Sequence, residues 1–208
     1  MKTLIILIML LISTFSVAQD HLYPEDSLYG NGISSLEYHL FVKKAFNPAF
    51  SRDVTLKVIE IPSFHPESVL YLEKSEESYN VIYLEAESHY WMSTRAEYQP
   101  KPIIKCKVPL SESTALEIEK VWTSELSKTQ YPESSGEGLD GTTYHFSTSF
   151  KWLPNAALMP AMAGKTWSPN KGTRMRLLIN LVSTLKGFCL NPNSEDGIQI
   201  LTNQLAYK

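Results

Sequence analysis

The chain is poor in cysteine, in net charge and in long apolar runs, and each shortage removes a class of protein. With 2 cysteines in 208 residues, it has neither the disulfide framework that replaces a core in small secreted domains nor the cysteine spacing of a zinc module. A formal net charge of -3 leaves no basic excess, and no basic patch interleaved with aromatics appears. Nucleic acid is therefore not an expected partner, because the counterion release that dominates nonspecific affinity for phosphate backbones is missing. Only Leu4 to Ile12 forms a notable apolar run, and it falls short of the ~20 residues that a membrane-spanning helix needs.

That run is nonetheless informative. Lys2 supplies a positive n-region before it, and Ser16-Val17-Ala18 a small-x-small site after it, so residues 1–18 read as a secretory signal peptide cleaved before Gln19. No Cys in or just after the leader is available for lipid attachment. The expected location is periplasmic or secreted, with nothing spanning the membrane after cleavage. In that oxidising setting Cys106 and Cys189 are expected to be bonded, closing a loop of about 84 residues worth roughly 4 to 5 kcal/mol of chain entropy. Neither Cys has a His beside it in sequence, which argues against a thiol nucleophile. Residues 19–208 suffice for a single globular domain, and no linker-like stretch divides them.

Past an irregular arm from Gln19 to Gly32, Ser34 or Ser35 can cap a helix bearing Leu36, Leu40 and Phe41, which Asn47-Pro48 stops. From Asp53 the period changes to two. Val54, Leu56 and Val58 alternate with Thr55 and Lys57, followed by strands at Ser68 to Glu73, Ser78 to Glu87 and Ile103 to Val108, the last closed by Pro109. Thr114 and Glu117, at capping-box spacing, open a helix buried through Ile118, Val121, Trp122 and Leu126. A Gly-rich loop from Ser134 to Gly138 and a turn at Asp140-Gly141 lead into a strand from Thr142 to Phe150, with Lys165 to Trp167 as its hairpin partner. Thr173 starts a helix with Met175, Leu178, Leu181, Val182 and Leu185 as its apolar stripe, ended by Gly187 just before Cys189. Asp196 to Leu205 reads as a strand. Strand runs broken by three helices, with no regular strand-helix alternation, predict an α+β domain: a mostly antiparallel sheet with about three helices on one face.

Several motifs dissolve on inspection. Gly164-Lys165-Thr166 resembles the end of a phosphate loop, but the first Gly of that pattern would fall on Met159. Ser183 and Lys186 match a Ser-x-x-Lys nucleophile motif without the following Lys-Thr-Gly. The five histidines, His21, His39, His65, His89 and His145, show no spacing that places two ligands on one helical face, so no metal and no cofactor is expected. His145, with Asp140 in the preceding turn, has the residue types of an oriented base, although a solvated strand face explains it more simply. Glu85 and Glu87, two apart on one strand face, are likewise the residue types of a carboxylate pair, but more ordinarily surface charges.

Trp122, Lys128-Thr-Gln-Tyr131, Gly138-Leu-Asp-Gly-Thr-Thr-Tyr-His-Phe-Ser147 and Ala163-Gly-Lys-Thr-Trp-Ser-Pro169, followed by an amphipathic helix, resemble the second half of a group of small exported or envelope-associated bacterial proteins with no assigned activity. The resemblance implies a bacterial source and a compact domain, and carries no catalytic residue. The apolar stretch from Leu153 to Gly164, with Pro154, Met159, Pro160 and Met162, reads as an extended loop. Apolar surface left uncovered on a monomer marks an interaction site. The expected function is therefore noncatalytic binding of a protein partner in the cell envelope through Leu153, Met159, Met162 and Trp167. The alternatives are a small periplasmic hydrolase using His145 with a nearby carboxylate, or a structural envelope component.

Overall fold

The computed structural model describes residues 20–25, 28, 36–76, 78–90, 102–131, 140–152, 158–160 and 162–207. The leader with its cleavage site, the Ser34/Ser35 cap, the Ser134 to Gly138 loop and Leu153 lie outside the described residues. In chain order the elements are β1 (Tyr23–Pro24), α1 (Leu36–Ala45), a 3-10 turn (Asn47–Phe50), β2 (Val54–Pro62), β3 (Ser68–Lys74), β4 (Tyr79–Ala86), β5 (Pro102–Leu110), α2 (Glu112–Ser127), β6 (Thr142–Thr148), β7 (Phe150–Trp152), β8 (Leu158–Pro160), β9 (Ala163–Trp167), α3 (Arg174–Leu190) and α4 (Asp196–Ala206). The fold is α+β. Seven antiparallel strands run in the order β1-β9-β6-β2-β3-β4-β5, and β7 and β8 form a separate two-stranded sheet.

Strands β2, β3 and β4 are apolar on both faces, so the sheet needs a cover on each side. On one face Leu56, Val58, Leu70, Leu72, Val81, Tyr83 and Phe146 pack with Ile118, Trp122, Leu178, Val182, Leu185 and Ile198 from α2, α3 and α4. On the other, Ile59, Val69, Tyr71, Ile82 and Leu84 pack with Val42 and Ala45 of α1, Phe46 and Ala49. Three helices do share one face, but the first helix read from the sequence lies on the opposite one. A register shift between Val54 and Leu56 sends Val54 to the α1 side while Leu56 and Val58 face the larger layer. It reverses the inside-outside parity that simple alternation gives.

Other differences have similarly local causes. Asp196 to Leu205 is helical because Ile198, Thr202 and Leu205 form one buried stripe, whereas Ile200, which makes the segment look alternating, is 57% exposed. Helix α2 is capped by Ser111, whose Oγ accepts from Thr114 N at 3.3 Å. The acidic partner at this terminus is Glu195, which accepts from Ser111 N at 2.9 Å and from the Thr114 hydroxyl. Burial opposes ionisation of Glu195, and the bonds from Ser111 and Thr114 outweigh it, so its carboxyl sits below the ordinary range. Thr173 caps α3 as expected, but the helix runs on through Gly187 to Leu190 because Cys189 continues the buried stripe. Strand β5 passes through Pro109, which pairs with Asn80; an edge strand tolerates a proline whose missing N–H would face outward.

Cys106 of β5 and Cys189 of α3 are bonded, with Cα atoms 5.7 Å apart. Glu125 of α2 joins this layer electrostatically: buried, it receives Arg174 Nε at 2.7 Å and Nη2 at 2.6 Å, while the same Nη2 donates to Leu205 O at 2.5 Å. One guanidinium thus ties three helices. Lys186 of α3 reaches the sheet through Glu60 Oε2 at 2.5 Å and lies 4.7 Å from the centre of the Tyr83 ring.

Replacing both cysteines with serine is expected to lower unfolding free energy by about 4 kcal/mol, read from urea denaturation. Gly141 permits a close approach: a Cβ there would lie 2.4 Å from Ser168 Oγ and 2.8 Å from the Trp167 ring. Gly141→Ala should accordingly cost roughly 1–3 kcal/mol in the same assay.

Candidate functional site

Cross-strand register brings polar residues from distant parts of the chain onto the α1 face. Tyr23, Lys165, His145 and Ile59 form one row, and Ala163, Ser147, Lys57 and Tyr71 form the next. His145 is only 3% exposed. Its Nδ1 donates to Oε2 of Glu25, whose side chain is fully buried just after β1. From above, α1 contributes His39, whose ring centroid is 6.3 Å from that of His145, and Lys43. The solvated face expected for His145 is therefore a covered one, because α1 occupies the space that alternation assigned to water.

Burial sets the electrostatics of this layer. His39 is pushed down to about 4, first by burial and then by His145, with Glu25 opposing and Lys43 and Lys165 adding to the effect. Burial also lowers the Lys43 ammonium, against the pull of Glu25. Lys57, 1% exposed, is pushed down to about 6 by burial and by Lys43. Its Nζ donates to Ala49 O at 3.3 Å and lies 4.0 Å from the centre of the Phe50 ring. A second buried carboxylate anchors the start of α1: Glu67 accepts from Tyr38 Oη at 2.5 Å and from Tyr90 N at 2.8 Å, with His89 Nε2 3.7 Å away. Burial, then Glu67, raises the Tyr38 phenol above its ordinary range.

The residues singled out from sequence are dispersed. Asp140 is exposed in its turn, and the carboxylate that contacts His145 is Glu25, distant in sequence. Glu85 is held by Lys105 at 2.9 Å and Tyr83 at 2.8 Å, and Glu87 lies past the end of β4, so the two are not a working pair. Ser183 donates to Ile179 O at 3.0 Å while Lys186 bonds Glu60, which separates the Ser-x-x-Lys partners. Gly164, Lys165 and Thr166 lie inside β9. Among the described residues no three His, Cys, Asp or Glu side chains form a group able to hold a metal. No described helix is long and apolar enough to cross a membrane.

Of the four expected binding residues, Met162 packs against the larger core and Trp167 is half-buried over Gly141. Leu153 and the Met159 side chain lie outside the described residues. The described backbone at 150–152 and 158–160 is paired strand, in contrast to the extended loop expected over that part. Lys165 to Trp167 is the hairpin partner of the Thr142 strand, and the pairing continues in the same register from Ser147–Ala163 to Phe150–Pro160 and Trp152–Leu158. The two strands of this arm, β7 and β8, follow the register of the β6–β9 pair and, among the described residues, pair with no other strand.

No protein-family model, curated protein or solved structure matches this chain. The sequence signal that pointed toward the covered site was its polar residues at strand positions, Lys57 and His145, flanked by apolar neighbours. Nothing local links either to Glu25 or His39. The buried Glu25–His145 contact fastens the N-terminal segment to the sheet, and the His39 ring of α1 packs against it. Glu25→Gln is expected to cost about 1–3 kcal/mol of stability at neutral pH, measured by urea unfolding.

Proposed function

We propose that this chain is an exported accessory protein of the bacterial cell envelope that acts by binding another protein, without catalysis, after loss of residues 1–18. What carries this reading is the ribbon that leaves the sheet at Thr148 and Ala163 and continues as β7 and β8. Between and along its strands run Phe150, Trp152, Leu153, Leu158 and Met159, an apolar composition that a two-stranded arm by itself cannot pack into a core.

The sheet edge is a poorer docking place. Strand β5 exposes Ile104, at 67%, but it also carries Pro102 and Pro109, Lys105 and Lys107, and a register shift that leaves Lys105 opposite no β4 residue. Prolines, lysines and bulges are what keep edge strands from pairing with other chains. The hydrolase alternative has one observation in its favour, the Glu25 contact to His145. Against it, a catalytic base has to come within hydrogen-bond reach of substrate, and both members of this pair are covered.

The test is crosslinking in envelope fractions of cells expressing the full chain, comparing wild type with Leu153→Asp/Met159→Asp after confirming equal thermal stability. A defined partner should be enriched roughly tenfold or more by wild type over the variant, as loss of an apolar anchor implies, and the mature protein should begin at Gln19. An identical capture profile for the two proteins rejects the arm as the binding element. Hydrolysis of an envelope substrate that His145→Gln abolishes rejects the noncatalytic reading.

A further inference from the structure

We propose that residues 20–25 form a strap that seats last and closes the leader cleavage site, so that residues 1–18 are removed only while the strap is open. The strap runs along the edge of β9 that β6 does not occupy, and it joins both layers of the molecule. Leu22 is fully buried in the core beneath α2, α3 and α4. Its carbonyl accepts from Gln130 N at 2.9 Å. Gly164 of β9 makes room for it: a Cβ there would lie 3.0 Å from Leu22 Cβ. Tyr23 and Pro24 pair with Lys165 and Gly164. Before them, Asp20 Oδ1 accepts from Arg174 N, at the start of α3, at 3.2 Å. After them, the buried Glu25 receives His145 and also accepts from Leu28 N at 2.6 Å, with Leu28 buried in the α1 layer.

The residues that seat the strap come late in the chain. His145 lies 120 residues beyond Glu25, and Arg174 lies 154 beyond Asp20. A chain exported in sequence order presents its cleavage site before these partners emerge, and closing so long a loop costs entropy that only the assembled sheet offsets. Once seated, the strap shuts the site. An extended chain spans about 3.3–3.6 Å per residue, so the bond before Gln19 lies within about 7 Å of Asp20, itself fixed on α3. A protease cuts segments that are free to extend through its active site. Cleavage of a folded precursor therefore waits until the strap opens and Leu22 leaves the core. A chain that folds before cleavage stays tied to its leader, whereas one cut first is released. The inference rests on the exported reading of residues 1–18.

The experiment uses the full precursor, purified in detergent with its disulfide formed, and a synthetic peptide of residues 1–40 as the open reference. Both are digested with a purified bacterial leader peptidase, and release of the product beginning at Gln19 is timed by mass spectrometry. The folded precursor should be cut on the order of a hundredfold more slowly than the peptide, because only its opened fraction is a substrate. Leu22→Asp removes the buried anchor and should bring the precursor to within about tenfold of the peptide, with hydrogen-exchange protection across β2 to β4 confirming that it folds. A second measurement needs no variant: in the wild-type chain begun at Gln19, exchange over 20–25 should be slowed on the order of a hundredfold relative to the peptide. A folded precursor cut as fast as the peptide, a folded Leu22→Asp precursor as resistant as wild type, or an unprotected 20–25 segment would each overturn the proposal. Failure of the exported reading looks different, because the peptide itself is then not cut before Gln19, and the proposal falls with it.

Discussion

Strands β2, β3 and β4 cannot present either face to water, and the rest of the molecule is arranged around that constraint. Leu56, Val58, Leu70, Leu72, Val81 and Tyr83 face one way, and Ile59, Val69, Tyr71, Ile82, Leu84 and Ala86 the other. Burial of each side chain of this size is worth roughly 1.5–3 kcal/mol, so leaving one face open would forfeit more than the net stability of a typical domain. The chain supplies two covers of unequal weight. The larger is the layer of α2, α3 and α4. The smaller is α1 with its 3-10 turn, joined by Leu28 and Tyr90.

The two covers are fastened by different chemistry. On the larger side a disulfide, a guanidinium gripping Glu125, and Glu195 closing the terminus of α2 hold the helices to one another and to the sheet. On the smaller side the fasteners are imidazoles, a buried lysine and tyrosine bonded to carboxylate. Burying such groups among apolar residues is costly unless each finds a partner.

Much of the layering is visible in sequence because it is local and periodic. Alternation marks β2 to β4, and the apolar stripes of α2 and α3 stand out at helical spacing. The Asp140-Gly141 turn, the Lys165 to Trp167 partner strand and the cysteine pair are likewise readable. The misreadings arise where a contact from far along the chain overrides a local pattern. Ile200 gives Asp196 to Leu205 a false period of two; Glu195, not Glu117, serves the start of α2; and the shift at Val54 inverts which residues point where. The covered polar site was the least legible part. His145 was identifiable as unusual, but Glu25 and His39 lie on segments whose placement no local rule provides.

By itself, the sequence determined which stretches are strands and helices in most of the chain, and that an α+β domain with one covalent crosslink results. These properties depend on neighbours within a few residues, or on there being just two cysteines to join. Only the tertiary structure decided that α1 lies across the sheet from the other helices, that Glu25 is the carboxylate meeting His145, and that Lys57 is buried. Those outcomes follow from strand order and register, which set which side chains share a face, and side chains gathered from across the whole chain leave no trace in any one segment.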